Sequence, residues 1–183
     1  MKKFLPSIFI CLVFACLMVL QMVVHGQKLD ANRIDKNVEK HSVYESEFSR
    51  LKLTTTKGTK VSLGSLEEPI VILNFWASWC VPCVGEFPSL NKFINKYGDK
   101  VKVLGINNDT EKASKLVKKF ETKHDLKFES ILDQEGEIAS NFHITRIPAS
   151  IVFHKGKVIH FSNKEFDFYA SDFRDLIEGK LGI

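Results

Sequence analysis

Three regimes of apolar and polar patterning follow one another along the chain. Residues 4 to 24 are almost wholly apolar, broken only by Pro6, Ser7 and Gln21. Residues 27 to 45, QKLDANRIDKNVEKHSVYE, are charged and weakly periodic, and read as a tether. From residue 46 to 183 the pattern is that of a folded domain. FSRLKLTTTKGTKVSLGSL, 48 to 66, predicts two short strands about a Lys57-Gly58 turn. IVILNFWA follows Pro69 and has the near-continuous apolar character of a central strand covered on both faces. Beyond Cys80, the residues Phe87, Leu90, Phe93, Ile94 and Tyr97 recur at helical spacing up to Gly98, with Pro88 inside the run.

The second half repeats the alternation. VKVLGINN, 101 to 108, predicts another buried strand. Residues 110 to 124 predict a helix with Ala113, Leu116, Val117 and Phe120 on one face and Lys115, Lys118 and Lys119 on its wet side. A short strand at 126 to 132, a helical turn at 137 to 142 and a hairpin turning at Lys155-Gly156 follow, and 167 to 180 closes the chain as an amphipathic helix. Strands alternating with helices, with a late hairpin, predict an α/β domain: a mixed sheet covered by helices on both faces.

Composition narrows the class. With 44% hydrophobic residues the chain has material for a core. The net charge of +4 includes Lys2 and Lys3 at the extreme N-terminus, and no basic block interleaved with aromatics is present, which argues against a nucleic-acid partner. The basic start Met1-Lys2-Lys3, the apolar run and Val24-His25-Gly26 have the form of a signal peptide cleaved before Gln27. The run is also long enough, at about 20 residues, for a retained N-terminal anchor. Cys16 is a poor lipidation site, because Phe14 does not suit its approach and the apolar run continues past it. Every one of these readings exports residues 46 to 183, and membrane contact is expected only if residues 1 to 26 are retained.

Cysteine usage then becomes specific. Cys11 and Cys16 fall in the leader as apolar filler, so the exported part keeps only Cys80 and Cys83. One C-x-x-C with no other cysteine is not a disulfide-stapled scaffold. A strand ending at Ala77 delivers Cys80 to a helix start, where unpaired N–H groups and the helix dipole favour a thiolate. Pro82 suits the first helical turn. Cys83, three residues on, shares the helix face one turn deeper, so an exposed attacking sulfur and a shielded resolving sulfur are expected. The competing reading, a zinc half-site completed by His154 and His160, lacks ligand spacing; no metal and no bound cofactor is expected.

The stretch NFWASWCVPCVGEFP, 74 to 88, resembles the exported TlpA/ResA/DsbE-like thiol-disulfide oxidoreductases of the thioredoxin-fold superfamily. VSLGSL, LGINND, LDQEGEIASNF and IPAS support that resemblance, which covers roughly residues 48 to 180. It implies a thioredoxin-like fold with an N-terminal β-hairpin and a central insertion, an extracytoplasmic address, and reduction of partner disulfides, apocytochrome c among them. Pro148 matches the family's cis-proline opposite the cysteine pair, so Ile147-Pro148 is expected to dock a partner's extended segment. Glu86 matches the family's acidic position and is assigned proton exchange with Cys83. Trp79 and Pro82 shape the docking surface, while Trp76 belongs mostly to the core.

Two departures stand out. Many relatives carry glycine at the position of Arg146 and a threonine pair at that of Ala149-Ser150. Arg146 either lends positive charge to Cys80 or points away. The resemblance implies disulfide-bearing protein substrates and a transmembrane thiol electron donor. Oxidase or peroxidase-like chemistry, and a non-catalytic binding module of the same fold, are the alternatives.

Overall fold

The computed structural model describes the backbone of residues 5–183 and the side chains of 13–27 and 41–183. The basic start of the leader lies outside the described residues, as does the side chain of Cys11. Helix α1, Leu5–Arg50, takes in the stretch read as a tether. Its composition explains the difference: residues 27 to 50 contain no glycine or proline and are rich in Lys, Glu and other good helix formers. The first compact unit, Met1–Ser42, presents Val13, Phe14, Leu17, Val19 and Met22 on its surface. Among the described residues no helix is long and apolar enough to cross a membrane.

The second unit, Val43–Ile183, is built on two sheets. β1, Lys52–Thr54, pairs antiparallel with β2, Lys60–Ser62, giving the expected N-terminal hairpin. Five strands form the main sheet: β3, Ile70–Trp76; β4, Val101–Asn107; β5, Glu129–Leu132; β6, Ala149–His154; and β7, Lys157–Ser162. Their order is β5-β4-β3-β6-β7. β3, β4 and β5 are parallel, and β6 and β7 run antiparallel to their neighbours, so the sheet is mixed. The β6–β7 hairpin turns at Lys155-Gly156, both at positive φ (49° and 77°), a turn that glycine makes without strain.

Alternation along β3 sorts its side chains to two cores. Ile70, Ile72 and Trp76 join the cluster beneath α2, Val81–Tyr97, α3, Ala113–Lys123, and α5, Ser171–Leu181. Val71, Leu73 and Phe75 face a second cluster made with Tyr44 and Phe48 of α1, the β1–β2 hairpin, and Phe142 just after α4, Glu137–Asn141. The fold is thioredoxin-like. α5 starts later than its periodicity predicts. The preceding residues are held otherwise: Asp167 Oδ1 accepts the N–H of Tyr169 at 2.8 Å, and Phe168 N–H reaches Ser89 Oγ on α2 at 3.2 Å.

Candidate active site

Strand β3 ends at Trp76, and four residues later Cys80 stands as the N-cap of α2, with extended backbone angles (φ −86°, ψ 94°). Its N–H closes a turn onto the Ala77 carbonyl at 3.1 Å. Pro82 falls in the first helical turn, where its missing N–H costs nothing. Cys80 and Cys83 are joined as a disulfide, Sγ–Sγ 2.01 Å with Cα atoms 5.3 Å apart. Cys83 is fully buried and Cys80 only 5% exposed. The openly exposed attacking sulfur expected from the sequence is therefore a covered one in this oxidised form. It packs into the helical-face core, and the surface above is formed by its neighbours Trp79 (69% exposed) and Val81.

Asp109 holds the loop that carries Cys80. Its carboxylate accepts the Ser78 N–H at 3.2 and 3.1 Å, the Ser78 hydroxyl at 3.0 Å and the Asn107 side-chain amide at 2.9 Å. The group is buried, and this full set of donors compensates the lost water. In the sequence, LGINND supports the family resemblance without marking Asp109 as an anchor of this loop. The available signal was the abrupt polar run after an apolar strand.

Beneath the cysteines lies Glu86, 2% exposed. One carboxyl oxygen accepts the Asn74 amide N–H at 3.1 Å, and the other accepts the backbone N–H of Phe166 at 2.8 Å. Asn74 also donates to Ser150 Oγ at 2.9 Å, across the β3–β6 register in which the two residues face each other. Burial raises the Glu86 pKa to about 7, against the two hydrogen bonds, which favour the charged form; the carboxylate of Glu165 adds a smaller upward push. A carboxyl titrating near neutrality, one turn along the helix from Cys83, is placed to take up and return a proton. The Glu86–Asn74–Ser150 hydrogen-bond chain is one that sequence reasoning missed. Asn74 was legible as the one polar position in IVILNFW, but its partner could not be read from the strand.

The Ile147–Pro148 bond is cis. Pro148 is buried, Ile147 half-buried and Arg146 exposed. Trp79, Asn108, Ile144, Thr145, Arg146 and Ile147 line one groove of about 380 Å3, so the tertiary structure brings the residue before Cys80 to the segment before Pro148. Pro82 is exposed beside the disulfide. His154 and His160 sit on the β6–β7 hairpin, and among the described residues no group of three or more histidine, cysteine or acidic side chains is arranged to hold a metal.

Residues 45–162 match the AhpC/TSA family. The chain belongs to that family. Among related proteins, it is 36% identical over 109 residues to the thiol-disulfide oxidoreductase ResA of Bacillus thuringiensis subsp. konkukian, covering 58% of this chain and 62% of that one. It is 35% identical over 108 residues to the thioredoxin-like protein YneN of Bacillus subtilis, covering 58% and 63%. The match thus spans a little under two thirds of these relatives' length. The crystal structure of StoA from Bacillus subtilis superposes with a TM-score of 0.59 at 28% identity, covering 70% of this chain and 96% of StoA. The family match spans both the cysteine pair and the Ile147–Pro148 segment.

Proposed function

We propose that this protein is an extracytoplasmic thiol-disulfide oxidoreductase that reduces disulfides of partner proteins. The observation that carries the reading is the Cys80–Cys83 disulfide at the start of α2, set over a buried carboxyl that titrates near neutrality. In the dithiol form, the Cys80 thiolate attacks one sulfur of the partner's disulfide. A Cys80–partner mixed disulfide forms, and the partner's other sulfur leaves as a thiolate that takes a proton from solvent. Glu86, as carboxylate, accepts the Cys83 proton. The Cys83 thiolate then attacks Cys80 Sγ, forming the intramolecular disulfide and releasing the second partner thiolate, which takes up the proton held by Glu86 through solvent. Two electrons and two protons have passed to the partner. Trp79, Pro82 and the Ile147–Pro148 segment dock the partner beside the groove.

The dithiol needs a source of electrons outside an oxidising compartment's own pool, which a transmembrane thiol carrier would supply. The apolar leader supports export, as a cleaved signal or a retained anchor. Resemblance to the ResA and DsbE class supports apocytochrome c as one substrate class. Thiol–disulfide exchange as written needs no cofactor beyond the redox-active disulfide itself.

Reduction of insulin disulfides in the presence of dithiothreitol tests the proposal. A rate well above the dithiothreitol background is expected, and a rate equal to it would leave a non-catalytic binding module. The reduction potential decides direction: a value near about −270 mV marks a reductant, one near about −120 mV an oxidant.

A further inference from the structure

Outside the N-terminal helix, the large hydrophobic side chains most exposed are Trp79, Val81 and the terminal Ile183. Two of these three flank Cys80. The groove beside them has an apolar wall of Trp79, Ile144 and Ile147, with Asn108 and Thr145 supplying polarity. Arg146 is the one formally charged residue lining it. Among the described residues it makes no ion pair, as is true of most surface lysines here, and what sets it apart is its place in the groove beside Trp79.

Buried Asp109 and Asp133 do not answer that charge, and the exposed Glu111 and Glu137, close in the chain to the lining residues Asn108 and Ala139, form no ion pair with it. Asp109, next to Asn108, is buried and engaged with Ser78 and Asn107. Asp133 is buried, accepts the N–H groups of Ile138 and Ala139 at 3.0 and 2.8 Å, and holds the Asn108 amide at 3.3 Å. An arginine left exposed at the rim of an apolar slot offers a planar, two-pronged donor for a carboxylate.

We propose that Arg146 is a specificity-determining residue: the groove takes an extended segment of the partner in which an aspartate or glutamate lies close in sequence to the cysteine that Cys80 attacks. The proposal rests on the reductase reading above and adds which disulfides are taken first. Complementary charge of this kind acts mainly on encounter and on rejection of wrong partners. An exposed arginine–carboxylate pair is worth roughly a twofold to fivefold gain in rate, and a lysine at the same place loses by a similar factor.

The test uses the pre-reduced full chain and synthetic peptides closed by one internal disulfide. The peptides differ only in carrying Glu, Gln or Lys, stepped through the positions on either side of the cystine. In the first exchange the Cys80–peptide disulfide forms as the peptide's own S–S bond breaks; second-order rates are followed by tryptophan fluorescence or by alkylation and mass. At one or more positions, Glu peptides are expected to react fastest and Lys peptides slowest, by about fivefold to tenfold at low salt. The gap should shrink at about 0.5 M salt, and Arg146→Glu should reverse the order. Exchange with the Gln peptides but the same Glu-to-Lys ratio in wild type and Arg146→Glu would overturn the role of Arg146 alone. No exchange with any peptide would overturn the reductase reading, and this proposal with it.

Discussion

Asn74 Nδ2 lies 3.1 Å from Glu86 Oε2, so a side chain of the central strand holds the carboxyl that sits one helical turn below Cys83. The strand residue is fully buried and the carboxyl nearly so. The contact joins the two elements that make the site: β3, which ends at the cysteine loop, and α2, which begins there.

The protonation of Glu86 couples to stability. Its folded pKa, about 7, lies above the ordinary 4.5, so folding takes up a proton between these values. Stability is then fully present below pH 4.5 and is lost as pH rises through 7, by roughly 3 kcal/mol in all. Urea unfolding of the oxidised protein from pH 4 to 8 should show this decline in the wild type and lose it in Glu86→Gln. Parallel curves for the two proteins would remove Glu86 as the source.

Opposite changes around Glu86 should move its titration in opposite directions. Asn74→Leu removes a donor that favours the carboxylate, and the midpoint should rise by about one pH unit. Glu165→Gln removes a neighbouring negative charge, and the midpoint should fall by about half a pH unit or less, since Glu165 is exposed. Carbon-13 NMR of the glutamate carboxyls reads both; shifts of the same sign would contradict the geometry.

Gly85 makes room for that neighbouring charge. A Cβ there would lie 2.7 Å from Glu165 Oε1. Gly85→Ala should therefore push the Glu165 side chain outward and lower the Glu86 midpoint, as Glu165→Gln does. A midpoint unchanged from wild type would show that Glu165 does not act from this position.

Asp109→Ala leaves the Ser78 N–H and hydroxyl and the Asn107 amide without their acceptor inside the protein. A loss of about 2–4 kcal/mol in unfolding free energy is expected, together with altered alkylation kinetics of Cys80 in the reduced protein. A loss below about 0.5 kcal/mol would mean that water replaces the carboxylate at little cost.

Cys83→Ser should stop the exchange at its first product. Incubated with disulfide-bearing extracytoplasmic proteins, this variant should accumulate mixed disulfides through Cys80 that disappear on adding dithiothreitol. Cys80→Ser should accumulate none. An equal yield from the two variants would reverse the assignment of attacking and resolving sulfur.

Periodicity carries much of the architecture because burial has a spatial period. The run IVILNFW, VKVLGIN and the β6–β7 hairpin around Lys155-Gly156 are all found within a residue or two of where the sequence places them. Residues 27 to 45 are helical despite their charge, because a helix needs only good formers and the absence of breakers. α5 starts only at Ser171 because Phe166, Phe168 and Tyr169 satisfy their N–H groups on α2 and Asp167 rather than in their own helix.

The chemistry of Cys80 and Cys83 was fixed by local order alone: a strand, a short loop and a helix start set both sulfurs on one face within reach of each other. The surroundings of the two sulfurs came only with folding. Asn74 meets Glu86 and Ser150, Asp109 meets Ser78, and Arg146 shares a groove with Trp79, through contacts between elements far apart in the chain. Sequence spacing governs which neighbours share a helix or strand, whereas desolvation and cross-element hydrogen bonds depend on how those elements pack, and no local pattern records that.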